Sequence, residues 1–247
     1  MQISIQDWKE RDLLPLVNNE VDLVVINDAP TCQVELYNLI SAYYKICPQD
    51  PLNQIFVSIK NNPHNDKEDL RSETELAWHI DGMYKQNPYN VTGLYCIDID
   101  GRADTMFVDN RIVDNIPEYY EKHKDDLAVI DMEKLTDDKR YPYKFKDERE
   151  KKLFRRFHKS VRHQLFQEDK RGKYIYYSNS SSTLEDSEMI DNILYSNDRI
   201  YSHEWKKKQL VLCNNVTTNH KRNANNSKSR HMWKVCAWKK NNDHHTK

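Results

Sequence analysis

Short apolar stretches separated by polar turns run the length of this chain, and their spacing predicts both strands and helices. The segment from Leu13 closes on Leu23-Val24-Val25-Ile26, a run rich in β-branched residues that reads as a buried strand. Between residues 33 and 46, Val34, Leu36, Leu39, Ile40, Tyr43 and Tyr44 recur at helical spacing until Pro48 stops the pattern. Leu52 to Ile59 reads as a further strand, followed by a polar loop at 61–65. From Leu76 to Val108 the chain is strand-like, cut by turn signals at Asn87-Pro88 and Asp100-Gly101. Asp114 to Leu127 predicts a helix, with Pro117 early, where its missing N–H costs nothing.

In the second half, Lys and Arg outnumber Asp and Glu two to one between Asp137 and Lys173. The interior of that stretch, Glu148 to Phe166, places Leu153, Phe157, Val161 and Leu165 at every fourth position, the pattern of an exposed amphipathic helix. Tyr174 to Tyr177 is a short strand, and Ser182 with Glu185 has capping-box spacing for a helix running through Ile193. Ile200–Trp205, Gln209–Cys213 and Met232–Trp238 are three more strand candidates, and Asn241–Lys247 reads as a loose polar tail. With neither an internal repeat nor a clear linker, the expected fold class is mixed α+β with a mainly β core. It forms one domain over residues 1–247, with a charged helical insert at about 137–173.

Composition narrows the class. Hydrophobic residues make up 38% and charged residues 31%, and 15 Tyr with 5 Trp argue for a packed core. A net charge of -1 gives no general attraction to nucleic acid or to a membrane surface. The start carries no basic and apolar leader pattern, and no apolar run approaches the roughly 20 residues a membrane span needs. Cys32, Cys47, Cys96, Cys213 and Cys236 are scattered and never in a C-x-x-C pair, which fits free thiols in a reducing compartment. The expectation is a cytoplasmic protein.

Candidate chemistry concentrates in Glu75-Leu76-Ala77-Trp78-His79-Ile80-Asp81-Gly82. Residues i and i+2 of a strand share a face, so His79 and Asp81 can offer an imidazole and a carboxylate side by side. Two histidines and one carboxylate bind iron(II) while leaving coordination positions open. His220, after the apolar run Leu210–Cys213 and a polar turn, is the best third ligand, and Arg230 opens a later strand whose guanidinium suits a carboxylate. An H-x-D pair also arises by chance in structural or surface roles. His203 competes as third ligand, although the Lys206-Lys207-Lys208 turn beside it places it near the surface. His158 and His163 fall in the charged insert, His231 alternates away from Arg230, and His244-His245 lies in the tail.

From about Leu76 to Trp238 the sequence resembles the taurine dioxygenase family, the TauD/TfdA-like oxygenases. Trp78-His79-Ile80-Asp81 looks like the family's W-H-x-D signature, and Pro88, Leu94 and Tyr95 follow as in its next strand. Ala103 to Asp109 is similar to its G-x-T-x-F-x-D segment, and Gly172 to Tyr177 to its strand opening on Gly. Leu210, Val211, Asn215, Thr218 and His220 fit the segment that ends on the distal histidine, and Arg230 to Val235 resembles the closing R-x-x-x-R-V strand. The resemblance implies a double-stranded β-helix (jelly-roll, cupin-like) core with flanking helices. It implies iron(II) on His79, Asp81 and His220, with 2-oxoglutarate and O2 as co-substrates and Thr105 and Arg230 on the distal carboxylate of 2-oxoglutarate. It further implies hydroxylation of an unactivated C–H bond of a small molecule, with 2-oxoglutarate decarboxylated to succinate. Asp81 favours this over halogenation, since halogenases of similar fold lack the carboxylate.

Some positions depart from the family. Cys213, Asn214 and Val216 replace its usual large apolar residue, Asp and Arg, and Arg102-Ala103 replaces a Gly-Gly pair. These changes leave open a binding module on the same fold that has lost catalysis. Trp78, Asn215 and Lys234 are the candidate substrate contacts. Lys234 stands where relatives carry Arg and either meets an anionic group on the substrate or points to solvent. The basic insert either is solvated or contacts an acidic carrier protein or nucleic acid, the latter weakened by its interleaved acids. Tyr141, Tyr143 and Phe145 are candidate lid residues.

Overall fold

The computed structural model describes residues 5–8 (as backbone), 13–49, 54–60, 75–137, 145, 147–180, 184, 186–223 and 229–240. The loop at 61–65, Tyr141, Tyr143, the capping pair Ser182 and Glu185, and the tail from Asn241 lie outside the described residues.

In chain order the first elements are β1 (Ile5–Trp8), α1 (Leu14–Val17), β2 (Leu23–Ile26), α2 (Gln33–Ser41), β3 (Tyr44–Cys47) and β4 (Val57–Lys60). Next come β5 (Leu76–His79), β6 (Val91–Asp100), β7 (Asp104–Asp109), α3 (Pro117–His123), β8 (Leu127–Ile130) and α4 (Met132–Asp137). The middle holds α5 (Glu148–Phe157), β9 (Val161–Gln164), β10 (Phe166–Asp169), β11 (Gly172–Ile175) and α6 (Ser187–Leu194). The chain closes with β12 (Tyr201–Glu204), β13 (Leu210–Asn214), β14 (Thr218–Arg222) and β15 (Ser229–Lys239).

Two sheets form the jelly-roll core. The larger has the order β1-β2-β13-β6-β15-β3, with β4 also paired to β15; the smaller has the order β12-β7-β14-β5. Apart from the parallel pair β1–β2, the ladders are antiparallel. The outer face of the large sheet (Val24, Ile26, Tyr95, Leu210, Leu212) is covered by Leu13 and Leu16 at α1 and by Leu36 and Ile40 of α2. Burying each such side chain stabilises the fold by about 1.5–3 kcal/mol. The outer face of the small sheet (Trp78, Val108) packs on Ile190 and Leu194 of α6 and on the partly buried Tyr119 and Tyr120 of α3. Between the sheets, Val25, Val211, Cys96, Met232 and Phe107 form an apolar plug, and the polar residues of the candidate site occupy the same interlayer space.

Three expectations change. Tyr44 belongs to β3, not to the preceding helix, because α2 ends at Ser41 and Cys47 then pairs with Cys236 of β15. The insert is not one long helix: α5 stops at Phe157, His158 is extended, and Val161 and Leu165 are buried beyond it. Val161 does so by pairing with Ile130 across β8 and β9. The regular spacing thus joins two different elements, and Leu153 and Phe157 point to solvent at 52% and 73% exposure. Finally β14, Thr-Asn-His-Lys-Arg, is a central strand that no apolar pattern announces.

A buried charge network ties the two sheets together. The Arg111 guanidinium donates to Asp22 at 3.1 Å, to Asp109 at 2.9 Å and to Asp169 at 2.5 Å, and Arg171 donates to Asp22 at 2.6 Å. Removing one member leaves uncompensated charge in the interior, so Arg111→Met should destabilise the protein by about 3–5 kcal/mol in urea denaturation. Thiol reactivity offers a second check. Cys32 is exposed, whereas the other four thiols are buried, and burial pushes Cys47 and Cys236 up to about 12 and Cys96 to about 11. Titration of the native protein with a thiol reagent near neutral pH should release one equivalent quickly and the remainder only after denaturation.

Candidate metal centre

Strand alternation sorts the residues of β5 and β14. His79 faces the interlayer space while Trp78 turns outward, and His220 faces inward while Asn219 turns outward to Asn110 and the Tyr177 carbonyl. His220 pairs directly with His79 across the ladder, with ring centroids 4.2 Å apart. Asp81 lies beyond the end of β5, in a turn that Gly82 completes at φ +66. A Cβ at Gly82 would come within 2.8 Å of the Tyr89 ring, so glycine is required there on both counts.

Asp81 is fixed by a side chain, not by the ladder. The Asn215 amide oxygen accepts from the Asp81 N–H at 2.9 Å, and its NH2 donates to the Asp81 carbonyl at 2.8 Å and the Tyr89 carbonyl at 2.9 Å. The Asp81 carboxylate accepts from the Thr92 hydroxyl at 2.9 Å and from the Lys234 ammonium. Its oxygens lie 3.8 Å from His79 Nε2 and 3.4 Å from His220 Nε2. One donor atom from each of His79, Asp81 and His220 falls within 4.8 Å of the others, and all three residues are buried. His79 Nδ1 lies 2.8 Å from the Ala77 carbonyl, which places its proton there and turns the Nε2 lone pair to the cluster.

The electrostatics match a cation site. Burial, reinforced by the neighbouring His220 ring, pushes His79 down to about 3, so it stands neutral as a metal ligand must. For Asp81, burial alone would raise the pKa. The Lys234 ammonium and the two imidazoles outweigh it and hold the carboxyl well below its ordinary range. Two imidazole nitrogens and one carboxylate oxygen, converging from two strands and a turn, fit iron(II) or a similar first-row ion.

Thr105 and Arg230 border the same interlayer space. Thr105 is buried on β7, and its oxygen accepts from the Trp205 indole at 2.8 Å, which leaves the hydroxyl proton to donate elsewhere. Arg230 is 4% exposed, and its Nε and Nη1 have no hydrogen-bond partner among the described residues. Burial first and the nearby Arg222 second push its pKa down to about 10, a mark of a guanidinium short of a counter-anion. Arg222, paired in register with Thr105 on β14, is also buried and has no apolar pattern to reveal it in sequence.

Some expected roles change. Trp78 is stacked on Tyr195 with ring centroids 4.8 Å apart, on the face away from the metal ligands, because an odd step along a strand reverses the side chain. That face carries none of the three candidate ligands. Asn215 spends both N–H donors on backbone carbonyls at a fully buried position. His203 is buried, not surface-exposed. It pairs in register with Thr105 and packs edge-on against Trp205, outside the ligand cluster. His231 turns to Ser58 at 2.9 Å, and His163 to the Met83 carbonyl at 3.2 Å.

Comparison with known proteins adds an independent line. The family model described as Taurine catabolism dioxygenase TauD, TfdA family matches residues 6–236. The chain is similar to the solved structure of AAD-2 in complex with Mn(II) and N-oxalylglycine, at 15% identity and TM-score 0.74, over 97% of this chain and 99% of that one. It is similar to a taurine dioxygenase from Burkholderia xenovorans at 11% identity and TM-score 0.67, over 97% of this chain and 90% of that one. It also resembles PvcB, an Fe, alpha-ketoglutarate dependent oxygenase from an isonitrile synthetic pathway, at 13% identity and TM-score 0.63, over 94% and 82% of the two chains. No curated protein matches. At these identities the solved structures support the fold.

The Asn215 tether yields a direct prediction. Asn215→Ala frees the Asp81 backbone without touching a metal-binding atom, and should weaken metal affinity about 10- to 100-fold in a competitive chelator titration. Unchanged affinity would show that the turn holds Asp81 unaided.

Proposed function

The chain belongs to the TauD/TfdA family, and on that premise we propose that His79, Asp81 and His220 hold the iron(II) of this non-haem, 2-oxoglutarate-dependent oxygenase. In the same reading Thr105 and Arg230 bind the distal carboxylate of 2-oxoglutarate, and Lys234 meets an anionic group on a small-molecule substrate. The observation that carries it is the convergence of those three ligands, two of them direct ladder partners, in one buried cluster.

Bound there, iron(II) with 2-oxoglutarate and O2 supplies the oxidising chemistry: one oxygen atom leaves in succinate, with release of CO2, and the other hydroxylates a substrate C–H bond. The protein's own contributions are positional and electrostatic. The unpartnered Nε and Nη1 of Arg230 leave N–H donors to meet a carboxylate, and the Thr105 hydroxyl adds a further donor. The plug of Val211, Met232 and Phe107 lies in the same interlayer space and excludes water from it.

Lys234 follows Arg230 by four residues on β15, so both side chains project from the same face. Its ammonium bonds Asp81, and a divalent ion on that carboxylate places like charge beside it. An anionic substrate group at Lys234 offsets that repulsion, which favours acidic small molecules over neutral ones. Residues 1–247 act as one oxygenase domain. No helix among the described residues is long and apolar enough to cross a membrane, and five free thiols fit a reducing, cytoplasmic setting.

Anaerobic addition of iron(II) and 2-oxoglutarate should produce the visible absorption band of a metal-chelated keto acid, and His79→Ala should lose it. A wild-type protein without the band would overturn the ligand assignment. In a screen of small sulfonates, phosphates and carboxylates, active compounds should stimulate succinate formation, and Lys234→Met should reduce that stimulation roughly tenfold or more. Stimulation confined to neutral compounds, or intact in the variant, would remove Lys234 from the substrate site.

A further inference from the structure

The helix α5 has two contrasting faces. Asp147 caps its start, accepting from the Glu150 N–H at 2.8 Å. Inward, Phe154 packs edge-on against Tyr84, with ring centroids 5.7 Å apart, and His158 packs against the same ring at 4.8 Å. Lys151 and Arg155 both pair with Asp137 of α4, and Arg155 also donates to Thr136 at 2.7 Å. The cations on that side are therefore spent.

Outward, Arg149, Lys152, Leu153, Arg156 and Phe157 fall at i, i+3, i+4, i+7 and i+8, a single helical stripe, and all five are exposed. Phe157 is the most exposed of the large hydrophobic residues described, at 73%, and Leu153 is also exposed, at 52%. Among the described residues, Arg149, Lys152 and Arg156 have no ion-pair partner. Exposed aromatic and aliphatic anchors framed by cations form the pattern of a recognition surface.

We propose that this outward stripe of α5 docks an acidic helical protein, with Leu153 and Phe157 seated in an apolar cleft of the partner and Arg149, Lys152 and Arg156 meeting its carboxylates. The position gives the contact a purpose. Tyr84, on which the inner face of α5 rests, lies three residues after Asp81 in the turn that carries it. A partner held on α5 is thus beside the metal centre, where a carrier domain would present a tethered substrate. A membrane surface fits less well: two apolar side chains on a ten-residue helix bury little area in a lipid interface, and the whole chain carries a net charge of -1. The proposal stands apart from the role given to Lys234 and survives its failure.

The test uses fluorescence anisotropy with two labelled probes, a synthetic amphipathic helix of glutamate and leucine and a pantetheinylated acidic acyl carrier protein. The full chain should bind at least one of them, more weakly as salt rises. The triple variant Arg149→Glu, Arg156→Glu, Phe157→Ser should bind at least about tenfold more weakly, with circular dichroism and metal affinity unchanged as the control for folding. Equal binding by variant and wild type, or no binding of either probe, would overturn the proposal. So would a preference for phosphatidylglycerol vesicles over both probes, or a dimer in sedimentation that the triple variant dissolves.

Discussion

Asp81 is a carboxylate taken out of water between two sheets, a transfer that costs several kcal/mol unless charge and hydrogen bonds replace the lost hydration. Much of the interlayer space is arranged around that demand. Thr92 donates to one oxygen, the Lys234 ammonium stands on the other, and two imidazoles converge from β5 and β14. Because Asp81 sits past the end of its strand, the ladder does not hold it. The Asn215 amide does, by engaging both the N–H and the carbonyl of the same residue. The price of burying the charge thus also fixes its position, which a metal site requires to within a fraction of an ångström.

The pleat explains how such a site is built from an ordinary double-sheet fold. On the inner face of the small sheet, Tyr201, Phe107, His220 and His79 form one row across four strands, and His203, Thr105 and Arg222 form the next. On the facing sheet, Arg230, Met232 and Lys234 alternate inward along β15, and an extra residue of β6 near Ile97 is absorbed opposite His231 and Met232 without disturbing that parity. The candidate metal ligands and the candidate anion-binding groups therefore face one another because register puts them there.

This also explains how far the sequence could be read. The His79–Asp81 pair is legible because its spacing is local; His220 and Arg230 stand out as candidates from the chain pattern and gain weight from the family resemblance, which alone points to Thr105. Strand β14 was not legible: its inward residues are polar because they face the site, so the usual apolar signal of a buried strand is missing. For Trp78 and Asn215, both candidate substrate contacts, the surroundings are not visible in sequence. The pleat turns one away, and a contact 134 positions distant in sequence commits the other to backbone. The Asp22–Arg111–Asp169 network was equally hidden, since its members come from three remote segments and each alone looks like a surface charge.

The two cations of β15 then acquire different meanings from their surroundings. Arg230 is buried, and two of its nitrogens find no acceptor, a condition a folded protein tolerates where a ligand supplies the missing acceptors. The proximity of Arg222 sharpens this, because two guanidiniums in one dry region repel unless an anion lies between or beside them. Lys234, by contrast, already has its anion in Asp81. On the proposed reading, a dicarboxylic keto acid entering this space would meet Arg230 as a group still seeking charge and Lys234 as one already paired, which would orient its distal carboxylate to Arg230. On the same reading Lys234 would be released for a second anion as Asp81 shares its charge with a bound metal, so the site would fill in the order in which its buried charges are released.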